Sequence, residues 1–189
     1  MDQQTIILIV GVVVVVAAIV AFMAVQRRRS AKLKDRFGPE YDRTVEEAGA
    51  KGRAEAQLHK LEKRVAAFDI KPLSPEAQQR YVEAWAKTQA EFVDDPLATV
   101  TAADGLLGDV MAARGYPVSD FDQRSADLSV DHPVVVQNYR AAHDIAVREG
   151  QATTEDLRQA MIHYRALYEE LVSGATPVEA TPEPKRSVA

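Results

Sequence analysis

From Thr5 to Val25 the chain runs TIILIVGVVVVVAAIVAFMAV, 21 residues without a charge, an amide or a proline. As a helix rising about 1.5 Å per residue this stretch covers roughly 31 Å, close to the ~30 Å hydrocarbon thickness of a bilayer. Its β-branched content would suit a strand in water. A lone strand in lipid, however, leaves its backbone N–H and C=O groups unsatisfied, whereas a helix pairs them internally. The stretch therefore predicts a membrane-spanning helix. A cleavable secretory signal would need basic residues ahead of a shorter apolar core and a small-x-small cleavage site. Here only Met1, Asp2, Gln3 and Gln4 precede the run, and Arg27, Arg28, Arg29, Lys32 and Lys34 follow it. The positive flank is the one retained in the cytoplasm, so the expectation is a single-pass protein of the cell (inner) membrane, with residues 1–4 outside and the body in the cytoplasm. There is no cysteine from which to read a redox compartment.

Charge divides the rest. Residues 26–71 carry 13 Lys+Arg against 8 Asp+Glu, and residues 72–174 carry 8 against 17. The basic part is thus the part nearest the apolar run. Arg27, Arg28, Arg29, Lys32, Lys34 and Arg36 have two readings: a stop-transfer flank, or a weak contact with anionic lipid headgroups at about 1 kcal/mol per basic residue. Nucleic acid is disfavoured as a partner because the segment that should fold is acidic. Roughly 160 residues beyond the run suffice for one modest domain.

Along the chain, residues 40–70 are alanine-rich and charged, which predicts one long helix serving as a stalk. Leu58, Leu61, Val65 and Phe68 fall at 3-4-3 spacing, a short a/d stripe that would permit a coiled coil and a homodimer. Lys71-Pro72-Leu73 breaks that helix. Ser74-Pro75-Glu76 and Asp95-Pro96 then read as capped helix starts. The first leads a face of Ala77, Tyr81, Ala84, Trp85, Thr88, Phe92 and Val93, and the second a face of Leu97, Val100, Leu107, Val110 and Met111 that stops at Gly115. Between Tyr116 and Pro133 the pattern predicts a short helix capped by Ser119, with Asp131 capping the next. Two amphipathic helices follow, from about Pro133 to Glu149, ended by Gly150, and from about Thr154 to Val172. Residues 175–189 hold three prolines and no apolar period, a disordered tail in which Thr176 and Thr181 precede proline. The predicted architecture is all-α: residues 5–25 as anchor, 26–71 as basic helical stalk, 72–174 as a small helical bundle, and the tail.

Chemistry can be sought by subtraction. His59, His132, His143 and His163 include no pair four residues apart and none with a glutamate three residues before it, so helical zinc pairs and the di-iron E-x-x-H element are missing. Glu55 and His59 share a helix face, where a surface pair is the better account. Gly105 and Gly108 match the G-x-x-G of RNA-binding KH loops, but they lie in an acidic helix without neighbouring strands, and close helix contact explains them better. No P-loop or G-x-S-x-G elbow occurs. Asp120, Asp122, Asp127, Asp131 and His132 invite a metal, yet they lack EF-hand spacing and its glycine, so capping and solvated charge are expected. No catalytic residue, cofactor or metal ligand emerges.

The stretches FGPEYDRTV, RYVEAW with FVDDP, GYPVSDFDQRSADLSVDHP and TEDLRQAMIHYRALYEEL, spread over residues 37–171, resemble a family of uncharacterised, membrane-anchored, chiefly actinobacterial proteins. The resemblance implies kinship and a shared anchor, and carries no activity. Two functions stay open: a tethered helical module that binds a protein partner, and an enzyme or small-ligand binder whose wall would be the region from Asp120 to His143.

Overall fold

The computed structural model describes residues 3–148 and 151–174, with side chains at Gly11 and from Val13 onward within those ranges. The stop at Gly150, the tail and its Thr176 and Thr181 lie outside them. All regular structure among the described residues is helical, as the periodicities predict. The chain divides into two compact units, Met1–Leu58 and His59–Ala189.

In the first unit, helix α1 (Gln3–Phe37) carries the apolar run straight into the basic segment, because no breaker intervenes before Gly38-Pro39. Gly38 turns the chain at a positive φ of 49°, and Pro39 opens helix α2 (Pro39–Ala48). The single helix predicted over residues 40–70 is not formed. Gly49 takes the left-handed conformation at φ 65° and returns its N–H to Val45 and Glu46, closing α2, and helix α3 (Lys51–Val65) starts afresh. Two glycines within four residues make that break cheap. Ser30, Leu33 and Phe37 of α1, Tyr41 of α2, and Ala54 and Leu58 of α3 are buried.

The membrane-spanning helix expected over residues 5–25 is not found as such: among the described residues, no helix is long and apolar enough to cross a membrane. The stretch is helical throughout. Its side chains are described without interruption only from Val13 to Val25, about 20 Å of helix against the ~30 Å a bilayer requires.

The second unit holds the end of α3 and helices α4 (Pro75–Ala90), α5 (Pro96–Arg114), α6 (Phe121–Asp131), α7 (Val135–Ala146) and α8 (Thr154–Ser173). Helix α8 packs along α7, α5 and α4. Its Leu157, Ala160, Met161, Tyr164, Leu167, Tyr168 and Leu171 are all buried, so the stripe read from the sequence is the spine of the core. Thr153 and Asp156 form a reciprocal capping box at its start. Ser74 and Asp95 cap α4 and α5 by accepting from the N–H groups of Ala77 and Ala98.

Several boundaries differ from the sequence reading, each for a local reason. Helix α4 ends at Ala90 and tightens into a 3₁₀ turn, Glu91–Val93, which throws Val93 out to 89 % exposure. Asp120, not Ser119, caps α6 by accepting from the Gln123 N–H. Asp131 closes that helix rather than capping the next, and α7 begins at Val135 without a side-chain cap. Leu97, expected on the inner face of α5, is exposed. Helix α3 stops at Val65, and Phe68 packs edge-on against Tyr116, which removes it from any coiled-coil seam.

Candidate functional site

The polar groups of the second unit fall into two buried clusters. In the first, α6 lays Arg124 across α5. A Cβ on Gly108 would come within 2.9 Å of Arg124 Nη1, so this glycine leaves room for a guanidinium rather than for a neighbouring helix, while Gly105 faces open space. Arg124 Nη2 donates to Asp104 Oδ2 at 3.3 Å, and the guanidinium stands 5.9 Å from the Tyr139 ring centroid. Tyr139 and Tyr164, both fully buried, close no hydrogen bond of ordinary geometry through their hydroxyls. Burial first, then the charge of Asp104, pushes both phenols above the usual tyrosine range, and Arg124 opposes that shift. Both rings stay neutral and out of reach of solutes, which makes this a packed polar core.

The second cluster explains the carboxylates between Asp120 and His132. Asp127, expected to be solvated, is buried and accepts from Arg64 Nε at 3.0 Å and Gln123 Nε2 at 2.8 Å. His132 is buried and meets Glu170 of α8 through Nδ1. Burial, then the charge of Asp131, raises the Tyr116 phenol as well. Arg114, buried at the end of α5, donates to the Leu171 carbonyl and so ties α5 to α8. His143 stacks on Phe121 with ring centroids 3.5 Å apart, and His163 meets Asn138. His132 and His143 are therefore not brought together. Among the described residues, no group of three or more histidine and carboxylate side chains is placed to hold a metal. His59 pairs with Glu62, not with Glu55, whose carboxylate accepts from the Tyr41 hydroxyl at 2.9 Å.

The basic residues singled out beside the apolar run all lie exposed on α1, and helical periodicity sorts them. Arg28, Arg29, Lys32 and Arg36 share one side; Arg27 and Lys34 share another, with the buried Ser30, Leu33 and Phe37 between. Lys34 is engaged within the unit, donating to Asp42 at 2.9 Å and lying 5.9 Å from the Tyr41 ring centroid. Sequence reasoning treated the six as one cluster because charge alone carries no face. Tyr41, buried and hydrogen-bonded to Glu55, has its phenol pushed up to about 12.

The second unit also leaves an apolar groove of 270 Å³ between α4 with its 3₁₀ turn and α8. Trp85 and Met161 form its floor, Phe92, Val93 and Ile162 its walls, and Arg158 and Arg165 its rim. Those two arginines are held in place by Glu155 and Glu169 on their own helix. Trp85 stacks on Tyr168 at 4.5 Å, so the floor is rigid. The sequence pointed to Trp85 and Phe92 as core; the break at Ala90 that opens the groove beside them had no signal beyond the approaching Asp95-Pro96.

No protein family, curated protein or solved structure matches the chain.

Proposed function

We propose that this chain is a single-pass, membrane-anchored helical module whose folded part stands at the cytoplasmic face and binds a protein partner. The observation that carries the reading is the uncharged 21-residue run ending abruptly in Arg27, Arg28 and Arg29. The kinship proposed with the actinobacterial membrane-anchored proteins that the chain resembles agrees with it. A binding role is supported by two features of the second unit. Its buried His132 and Asp127 are engaged in structural pairs, and the groove over Trp85 leaves Val93 and Ile162 to solvent.

The test has two arms. A reporter active only in the cytoplasm and fused after Ala189 should work, and one active only outside should not; the reverse result would invert the topology. A photo-crosslinking residue at Ile162 should give one discrete protein adduct in cells, lost in the presence of Val93→Glu. Adducts spread evenly over Ile162 and an α7 surface position would remove the groove as the binding face.

A further inference from the structure

We propose that the cavity lined by α1 and α3 within the first unit is a headgroup pocket for an anionic phospholipid, with the lipid phosphate held between Arg27 and Lys51. The inference rests on the membrane-anchored reading above. The cavity measures 340 Å³, within the range of about 300–1,000 Å³ typical of small-ligand sites. Its chemistry is graded along α1. Phe22 and Met23, 66 % and 48 % exposed, belong to the apolar run, and one turn on come Gln26 and Arg27. Lys51, from the start of α3, lines the same cavity. An amphiphile with an anionic head at the apolar-to-basic boundary matches that gradient.

The single carboxylate on the wall does not cancel the two cations. Glu55 accepts from the Tyr41 hydroxyl at 2.9 Å and stands 3.8 Å from Lys51, so its charge is already engaged and the wall keeps a net charge of +1. Arg27 has no ion-pair partner among the described residues. One phosphodiester charge therefore suits the site, and a soluble anion would leave Phe22 and Met23 uncovered. Plain electrostatic attraction to the bilayer would act on the whole basic cluster and fade with distance along the chain. The pocket instead makes Lys51, far downstream of the run, as important as Arg27. Gly52, also on the wall, gives a clean probe: a Cβ there meets nothing within 4 Å, so a larger side chain fills the cavity and also removes a helix-weakening glycine.

The full chain is reconstituted into phosphatidylcholine vesicles containing a minor fraction of spin-labelled phosphatidylglycerol or spin-labelled phosphatidylcholine, and the immobilised fraction of each label is read. Wild type should retain phosphatidylglycerol preferentially. Lys51→Ala and Gly52→Leu should each lower that preference about fivefold, and Lys60→Ala, at an exposed lysine of the same helix outside the pocket, should leave it unchanged. Equal effects of Lys51→Ala and Lys60→Ala, or full selectivity in a Gly52→Leu protein of unchanged helicity, would reduce the contact to surface charge and overturn the proposal. Loss of the preference on adding millimolar inorganic phosphate, at constant ionic strength, would assign the pocket to a soluble anion instead. Alkaline extraction of the same vesicles separates the two readings. A chain that washes off defeats the anchor and the pocket together; a chain that stays in the bilayer without lipid preference defeats the pocket alone.

Discussion

The core of the second unit and the apolar run of the first treat apolar side chains in opposite ways. In the second, Val100, Leu107, Val110, Leu128, Val136, Leu167 and Leu171 are completely buried, and α5 and α8 among the helices that supply them each run from a side-chain N-cap to a left-handed glycine. In the first, Val13, Val14, Val15, Val16, Ile19, Val20, Phe22 and Val25 are all at least 48 % exposed on one continuous helix. A contiguous apolar surface of that kind is rare on a soluble monomer, and under the proposed anchor it is lipid that covers it. Burial measured against protein alone therefore separates a core from a surface that needs a partner or lipid to cover it.

The comparison breaks or holds first on cavity formation. Leu167→Ala, at a completely buried position, should cost about 3 kcal/mol and lower the thermal midpoint of the second unit by several degrees. Val20→Ala should leave the same transition within about 0.5 kcal/mol. Trp85 is the only tryptophan and stacks on Tyr168, so its fluorescence reports the second unit in the full chain. An equal shift from Val20→Ala would mean that the exposed run is coupled to the core.

The next effect concerns charge. Arg124 and Asp104 have side chains only 16 % and 24 % exposed, so Arg124→Met should cost about 2 kcal/mol by leaving the carboxylate without its partner beside two buried phenols. Arg28→Met, on the exposed side of α1, should not move the Trp85 transition at all. Urea titration of both variants checks the pair.

What was legible in the sequence follows the same division. Caps and periodicity act within a few residues, and so Ser74, Asp95, Gly115 and the whole α8 stripe were readable. The pairs that hold the second unit together were not. Arg64 with Asp127, and His132 with Glu170, join residues 63 and 38 positions apart. No local spacing distinguishes a carboxylate that finds an arginine across the fold from one left in water, which is why Asp127 read as solvated. Gly108 was recognised as a site of close contact, but the group that approaches it is a side chain from α6. The groove over Trp85 escaped because a helix that tightens one turn before a capped proline start keeps the same apolar periodicity up to the point where Val93 swings out.

The tyrosines supply a pH test of the buried side. Tyr139 and Tyr164 are raised above the ordinary value of about 10, mainly by burial, so the folded state holds their protons more tightly than the unfolded chain. Their contribution is complete below pH ~10 and falls as pH rises past that value, where the unfolded state has fewer protons bound. The thermal midpoint of the second unit should decline from pH 9 to 11. Tyr164→Phe should flatten that decline, whereas Tyr41→Phe, in the first unit, should leave the Trp85 transition unaffected. An undiminished slope in Tyr164→Phe would assign the alkaline loss to other groups.

The smallest effect separates two glycines on one helix. Gly105 and Gly108 both lie inside α5, where alanine is favoured over glycine by about 1 kcal/mol. A Cβ at Gly105 meets nothing within 4 Å, so Gly105→Ala should stabilise the second unit by most of that amount. At Gly108 the same Cβ comes 2.9 Å from Arg124 Nη1. That nitrogen is the end of a long side chain and can shift, but moving it loosens the hydrogen bond to Asp104 at 3.3 Å and the contact with the Tyr139 ring. The propensity gain and the displaced guanidinium should nearly cancel, leaving Gly108→Ala close to wild type. In an Arg124→Met background the obstacle is gone, and Gly108→Ala should then stabilise as Gly105→Ala does. The double-mutant cycle therefore reads about 1 kcal/mol of coupling between Gly108 and Arg124 and none between Gly105 and Arg124. Equal behaviour of the two glycines in both backgrounds would show that Arg124 does not lie over α5 in solution.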